Sequence, residues 1–198
     1  MIKKVEILSP AGSYESLKAA IAAGADAVYI GGSRFGARAF ADNLQEDKLL
    51  EAIDYVHLHG RKIYLTINTL LKEHELCNEL YDYLLPYYKQ GIDAVIVQDL
   101  GLARILHENI PDLKLHASTQ MSIHSPAALS LLKDLGFCQV VAGREMSKKE
   151  LTLLCKEADR LGMTVEVFVH GALCMSVSGQ CLLSAFLGSR SGNRGLCA

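Results

Sequence analysis

Three cysteines lie close together near the end of the sequence, in a stretch rich in glycine and serine. Cys174 and Cys181 are seven positions apart, and Cys197 follows sixteen positions later. Thiolates are ligands of iron-sulfur clusters and zinc, and glycines let a backbone approach an inorganic centre closely. The spacing matches neither the short Cys-x-x-Cys zinc pairs nor the common ferredoxin runs. Spacing alone therefore leaves a metal or cluster site and three unconnected buried thiols as equal alternatives.

A second group of candidates follows the predicted strands. In parallel α/β folds the active site lies beyond the carboxyl ends of the strands, where polar and glycine residues recur in this sequence. The substrate-binding candidates are Gly31, Gly32, Asn68, Gln98, Ser118 and Gln120. The catalytic candidates are His116, His170, Glu166, Arg144 and Arg38. Any one of them is more often a cap or a satisfied loop residue, but their shared placement predicts one common site.

The catalytic candidates offer two kinds of chemistry. His116 and His170 carry imidazoles, which change charge near neutral pH. Arg38 and Arg144 are suited to clamp a carboxylate or phosphate through paired hydrogen bonds. Arg144 and its neighbour Glu145 could equally form a structural ion pair.

The elements that must position these residues alternate strictly between strand and helix. Short apolar runs predict strands at 3–8, 26–30, 62–67, 93–97, 114–117, 138–142 and 164–169. Helices are predicted at 16–23, 45–59, 73–90, 100–108, 125–135 and 148–161. In the last strand, Val165, Val167 and Val169 would share one face. Such alternation indicates a parallel sheet covered on both faces, either a doubly wound sheet or a (β/α)8 barrel. Repetition roughly every 25 to 30 residues without a topological break favours the barrel.

Composition narrows the class of protein. The chain has 198 residues, of which 50% are hydrophobic and 21% are charged, enough for a substantial core in one large domain or two small ones. No apolar run approaches the ~20 residues that span a bilayer, and no signal peptide is recognisable, so we expect a cytoplasmic protein. The net charge of −2 neither suggests nor excludes nucleic acid. Cys77 and Cys155 lie at helical spacing from leucines, and Cys138 lies at the start of a predicted strand, so all three are expected to be core thiols.

Three parts of the sequence resemble one known family. The pattern Glu166-x-Phe168-x-x-Gly171-Ala172-Leu173-Cys174-x-x-x-x-Gly179-x-Cys181-x-x-Ser184 closely resembles the signature of the U32 family, long called collagenase-like peptidases. The opening residues 6–13 and 23–32 look like the start of the same family, and so does the run 116–121 in mid-chain. The resemblance therefore covers the whole chain.

The resemblance implies a barrel-like fold and a specific activity. Members of the U32 family are associated with oxygen-independent or prephenate-linked hydroxylation of RNA nucleotides and quinone precursors, with a [4Fe-4S] cluster on four cysteines. By motif, Cys174, Cys181 and Cys197 would be three of the ligands, and the fourth would lie downstream. We therefore expect an RNA-modifying enzyme, with a tRNA uridine as substrate and prephenate as a candidate co-substrate.

Two other functions remain open at this stage. The family name implies a collagenase-like peptidase, which could pair Cys174 or Cys181 with His170 or His116. The sequence contains neither a His-Glu-x-x-His zinc motif nor a Gly-x-Ser-x-Gly elbow. The third alternative is a non-catalytic assembly domain.

The predicted strand count suggests a fragment. Seven strands are one fewer than a closed barrel needs, so we expect residues 1–198 to be the N-terminal part of a longer U32 protein, cut inside the cysteine motif. The cluster would then be incomplete or absent in this chain. Two open edge strands would also invite pairing with a second copy as a homodimer.

Overall fold

Strands and helices alternate along the whole chain, as the sequence predicts. The computed structural model describes residues 5–37, 44–172, 174–194 and 196–197. The strands are β1 (Leu8–Pro10), β2 (Ala27–Gly31), β3 (Lys62–Ile67), β4 (Ala94–Val97), β5 (Lys114–Ala117), β6 (Phe137–Val141) and β7 (Thr164–Glu166). The α-helices are α1 (Tyr14–Ala22), α2 (Glu46–Leu58), α3 (Glu73–Asn78), α4 (Leu80–Gln90), α5 (Leu100–Asn109), α6 (Leu129–Asp134), α7 (Lys148–Leu161) and α8 (Leu183–Gly188). Short 3-10 turns occur at Thr119–Met121, Pro126–Ala128 and Gly192–Arg194.

The seven strands form one parallel sheet in sequence order from β1 to β7. Each strand pairs with the next one along the chain, and the order never reverses. A doubly wound sheet requires such a reversal, so that alternative is wrong. The sheet curls into an incomplete barrel, which confirms the predicted TIM-like α/β fold. Within the described residues β1 and β7 are its two outermost strands.

Side-chain alternation sorts the strand residues onto two faces. Outward-facing residues such as Ile63 and Leu65 join the large core between sheet and helices, where they are fully buried. A second, smaller cluster with Tyr64 and Ala94 lies on the opposite face, inside the barrel. His116 belongs to this inner face, because its ring contacts Tyr64 edge-on with 4.7 Å between centroids. The barrel interior is therefore partly polar.

The first and last strands differ from the prediction. Predicted strand 3–8 is in fact β1 at Leu8–Pro10, and residues 3 and 4 lie outside the described residues. The last strand stops at Glu166, so Val167 and Val169 do not extend its face, and Val169 is 96% exposed. The physical reason is pairing: β7 bonds only to β6, and β6 ends at Val141.

Other predictions also need correction. The predicted helix 73–90 is divided at Glu79, where φ is −121°, and the first turn of predicted helix 125–135 is a 3-10 turn. The thiols of Cys77 and Cys155 are exposed, so their predicted core role is wrong. Cys138 is half-buried, and its thiol lies 3.5 Å from the Leu115 carbonyl. In the part of the chain that the structure describes, no helix is long and apolar enough to cross a membrane.

Candidate active site at the carboxyl end of the sheet

Some predicted site residues at this end have structural partners. The Asn68 side chain, just after β3, accepts a hydrogen bond from the Ala37 amide at 2.9 Å and so fixes the preceding loop. Gly32, just after Gly31 at the end of β2, leaves room for a tyrosine, because a Cβ there would lie 2.0 Å from Tyr83 Oη. Arg38 lies outside the described residues.

Gln98 and Gln120 come together, as predicted, around a residue that the sequence analysis did not select. Asn193 Nδ2 donates to Gln98 Oε1 at 2.6 Å and to Gln120 Oε1 at 3.0 Å. Asn193 Oδ1 accepts from the Leu70 amide at 2.9 Å. Ser118 is 1% exposed and caps the 3-10 turn that carries Gln120. The loops after β3, β4 and β5 thus meet the C-terminal segment, which follows β7. The side chains of Gln98, Gln120 and Asn193 form an amide cluster at this point.

An open depression lies beside this amide cluster. It has a volume of about 360 Å³ and is lined by Leu70, Gln98, Asp99, Leu100, Gly101, Gln120 and Met121. Leucine and methionine side chains form apolar walls, and the two glutamines contribute hydrogen-bonding groups. This combination of apolar walls and a few convergent polar groups is typical of small-molecule sites.

The segment that carries Cys174 and Cys181 is fastened to the barrel through Glu145. One Glu145 oxygen accepts from the Ser178 amide at 3.0 Å and from His124 Nε2 at 2.5 Å, and the other accepts from Ser178 Oγ at 3.0 Å. Burial would raise the pKa of the Glu145 carboxyl, but the bonds from Ser178 and His124 outweigh it and lower the pKa to about 2. Glu145 is therefore a charged anchor.

Arg144 holds the same segment instead of presenting a free anion clamp. Its guanidinium lies 3.4 Å from Ser178 Oγ and 3.5 Å from the Ser176 carbonyl. The backbone amide of Ser176 and the Arg144 side chain lower the pKa of the exposed Cys174 thiol. Arg144 thus acts on Cys174 in this structure.

A second anchor fastens the end of the chain. Arg194 donates to both oxygens of Glu75, at 2.7 and 2.8 Å, and to the Leu70 carbonyl at 2.9 Å. The bond from Arg194 lowers the pKa of the Glu75 carboxyl to about 2. This pair holds the turn that presents Asn193.

The two histidine candidates lie in different environments. His116 is 4% exposed inside the barrel, and its Nδ1 has no hydrogen-bond partner. Burial lowers the pKa of His116 to about 4, so the imidazole is neutral at pH 7. His170 is exposed, beyond the end of β7. The two histidines are therefore not equivalent candidates, because one is buried inside the barrel and the other is exposed.

Glu166 also lies inside the barrel. Gln139 on the neighbouring strand donates to its carboxyl at 2.9 Å, and Thr164 Oγ1 donates to the Gln139 oxygen at 2.8 Å. Burial raises the pKa of Glu166 to about 7. A carboxyl with this pKa can hold or release a proton near neutrality, which is the requirement for a general acid or base.

The three cysteine candidates are exposed side chains on the C-terminal segment. The described residues contain no group of three or more His, Cys, Asp or Glu side chains that could hold a metal ion. The thiols have suitable donor chemistry for a cluster, but their placement in this structure is not that of a ligand set.

Comparison with known proteins decides the family. A sequence model described as Peptidase family U32 matches residues 12–198. The chain belongs to this family. The 23S rRNA 5-hydroxycytidine C2501 synthase of Escherichia coli (strain K12) is 42% identical over 195 residues, which are 98% of this chain and 29% of that protein. The tRNA hydroxylation protein P1 of Bacillus subtilis (strain 168) is 36% identical over 195 residues, 98% of this chain and 45% of that protein. The U32 chain thus spans less than half the length of these relatives.

A solved structure supports the fold of the U32 chain. The U32 peptidase Mk0906 aligns with a TM-score of 0.64 and 16% sequence identity, covering 84% of this chain and 70% of that chain. At this identity the likeness shows the fold alone. It agrees with the incomplete barrel described above.

Among the described residues, the contacts of Cys174 and His116 give no support to a Cys-His peptidase that pairs these two residues. Cys174 is exposed beside Arg144 and Ser176, whereas His116 is buried against Tyr64. The sequence analysis missed Asn193, Arg194, Ser178 and Glu75, which join the C-terminal segment to the barrel. The polar run 191–194 is the only local signal of this role, because the partners of Asn193 and Arg194 lie 73 to 124 positions away.

Proposed function

We propose that this U32 chain forms the barrel of an enzyme that hydroxylates a nucleobase in RNA. The observation that carries the proposal is the identity of 42% and 36%, over 98% of the chain, to two relatives named for RNA hydroxylation. The substrate expected from the family resemblance is a tRNA uridine, and an rRNA cytidine is the alternative. Such an enzyme would act in the cytoplasm, where these RNAs are found.

The chain's own residues are suited to separate tasks in this reaction. The amide cluster and the depression beside it would bind the base at the carboxyl end of the sheet. Glu166 would exchange a proton near neutral pH, and the neutral His116 would accept a hydrogen bond or a proton inside the barrel. Arg194 at this end is paired with Glu75, and Arg144 bonds to Ser178, so neither arginine is a free phosphate clamp.

The function is tested in cells. Nucleosides from tRNA and rRNA of a strain that lacks the gene are compared by mass spectrometry with those of its parent. We expect one pyrimidine nucleoside with an added oxygen to disappear, and to return when the intact gene is supplied. Returning the gene with Gln98→Met should restore little of it. Unchanged nucleosides in the deletion strain would refute RNA hydroxylation.

We further propose that Cys174, Cys181 and Cys197 are ligands of a [4Fe-4S] cluster, with prephenate as co-substrate. The support is the donor chemistry of three exposed thiols on one glycine-containing segment, which would have to draw them together. When bound, such a cluster supplies electron transfer. Protein extended past Ala198 and purified anaerobically should contain about four irons and four sulfides, lost when the three cysteines become alanine. Replacing exposed Cys77 and Cys155 instead is the matched control and should leave the iron unchanged.

Prephenate and self-association have separate tests. A strain unable to make prephenate should lose the same hydroxylated nucleoside, and a normal level there would exclude that co-substrate. Because β1 and β7 are outermost strands, we propose that two copies pair through these edges. Sedimentation velocity over a range of concentrations should then show a dimer, and a monomer throughout would count against pairing.

A further inference from the structure

The hydrogen bonds of Asn193 define the orientation of every amide around it. The Leu70 amide can only donate, so the atom of Asn193 that faces it must be the oxygen. Asn193 Nδ2 must then donate, which turns the oxygens of Gln98 and Gln120 toward it. With this orientation, Gln98 Nε2 faces the backbone carbonyl oxygen of Gln120, at a distance of 3.4 Å. The barrel therefore offers two acceptors and one donor at this point.

This set of groups is complementary to an amino group next to an acceptor. The carboxamide of Asn193 supplies both, with two N–H bonds to the glutamines and one acceptor for the Leu70 amide. Cytosine has this arrangement, because its exocyclic amine adjoins the ring nitrogen N3. Adenine shares it through its amine and N1, so the choice of cytosine among the two comes from the pyrimidine substrate of the proposed function. Uracil presents one N–H beside a carbonyl, so it would leave one glutamine oxygen without a donor. Proteins commonly read bases that are out of the stack through this edge.

The surroundings fit a base that replaces the Asn193 side chain. The adjoining depression of about 360 Å³ falls within the usual range for ligand sites. Leu70 and Leu100 border it and are 53% and 51% exposed, so they present apolar surface to the opening. Apolar side chains of this kind can cover the faces of a planar ring while the glutamines bind its edge.

We propose that Gln98, Gln120 and the Leu70 amide form a binding site for the cytosine edge, and that Asn193 occupies this site until a base displaces it. The proposal rests on the proposed function, and within it selects cytosine over the uridine expected from the family resemblance. The turn at Gly192–Arg194 is then a strap whose release accompanies substrate binding.

Arg194 provides a way to release the strap without changing the site. It bonds to Glu75 and to the Leu70 carbonyl, whereas the proposed site uses the Leu70 amide. Arg194→Ala should therefore free the turn and leave all three binding groups in place. Asn193→Ala should remove the competing side chain directly. The apparent affinity for a ligand rises as the fraction of competent protein rises.

The test is titration of the purified protein with cytidine, uridine and adenosine, followed by NMR. We expect cytidine to bind about fivefold more tightly than uridine, since one hydrogen bond differs. Asn193→Ala and Arg194→Ala should each tighten cytidine binding about tenfold, and Gln98→Met and Gln120→Met should each weaken it about tenfold. Arg160→Ala, which breaks an exposed Arg-Glu pair on α7, is the control and should have no effect.

Three results would overturn the proposal. Cytidine binding that weakens in both Asn193→Ala and Arg194→Ala, while both variants unfold at the wild-type urea concentration, would make Asn193 a ligand contact or a structural residue. Equal binding of cytidine and uridine would contradict the assignment of cytosine as the ligand. Equal binding of adenosine would contradict the assignment of a pyrimidine. The nucleoside analysis of the deletion strain separates the two proposals: cytidine binding with unchanged RNA would leave this site standing and refute the hydroxylase.

Discussion

Burial shifts two side chains inside the barrel in opposite directions on the pH scale. His116 and Glu166 both avoid charge in this environment, so the pKa of the imidazole falls to about 4 and that of the carboxyl rises to about 7. Residue type and position after or within predicted strands identified both as candidates. Their burial could not be predicted, because it depends on the curvature that places Tyr64 against His116.

The two shifts have opposite effects on stability. Glu166 binds its proton more tightly in the folded protein, so its contribution is present below pH ~4.5 and is lost as pH rises to about 7. His116 binds its proton less tightly when folded, so stability rises with pH between about 4 and 6.5. The two slopes therefore largely cancel between pH ~4.5 and ~6.5.

Replacing Glu166 should reveal the pH dependence of stability that comes from His116. Glu166→Gln removes the loss of stability that Glu166 causes above pH ~4.5. Between pH 5 and 8 the free energy of unfolding of the variant should therefore rise relative to wild type by on the order of 1–2 kcal/mol. Urea unfolding at several pH values measures this difference. Lys148→Gln, on the exposed start of α7, serves as the control. A difference between Glu166→Gln and wild type that is constant with pH would show that the carboxyl is already ionised at pH 5.

At the scale of elements, the C-terminal segment is fitted closely to the barrel at Gly179. This residue has φ +76°, and a Cβ there would lie 2.1 Å from the Gln120 carbonyl oxygen. Gly179→Ala should therefore lift the segment from the barrel at a cost of about 1–3 kcal/mol. Gly171→Ala is the matched control, because a Cβ at that residue would meet none of the described residues within 4 Å apart from its two chain neighbours. Limited proteolysis should cleave near residues 174–181 faster in the first variant, and equal rates would contradict this fit.

The anchor at Glu145 makes a second prediction for this segment. The ring nitrogens of His124 lie 2.8 Å from the Ser122 carbonyl oxygen and 2.5 Å from the Glu145 carboxyl. Glu145→Gln would weaken these bonds and those from Ser178. Hydrogen exchange of the Ser178 amide should then accelerate about tenfold or more. Glu157→Gln, in an exposed pair with Arg160, should leave that amide unchanged.

Sequence patterns predicted the elements better than their edges. Apolar runs located the inner strands and most of the helices, because burial on both faces demands such runs, but α8 was not predicted. The length of β7 depended on how far β6 continues beside it, which is a property of the partner strand. The prediction that the thiols of Cys77 and Cys155 lie in the core was wrong for a similar reason. Helical spacing alone does not decide which side of a helix faces the core.

At the scale of the whole molecule, strict alternation and a regular repeat were enough to predict the barrel. The candidate site was predicted only in part. Gln98, Gln120 and Ser118 followed from strand ends, since parallel strands bring their carboxyl ends together. Asn193 and Arg194 did not, because their roles come from contacts across the molecule and no local pattern marks them.

Two carboxylates hold the segment to the rest of the molecule, which predicts its release in acid. The pKa values of Glu75 and Glu145 are both lowered to about 2, so their contribution is present above pH ~4.5 and is lost as pH falls toward 2. Proteolysis by an acid-active protease should increase within residues 174–197 before the barrel loses helical circular dichroism. Simultaneous loss of both would mean that the segment and the barrel unfold as one unit.

The bond between Asn193 and the Leu70 amide joins residues 123 positions apart. The chain entropy lost in closing so long a loop makes this contact a late event in folding. During synthesis β4 and β5, which precede Gln98 and Gln120, leave the ribosome well before Asn193, and they can pair with their neighbours first. A newly made chain therefore passes through a stage in which this end of the barrel is assembled and uncovered, and the strap covers it afterwards.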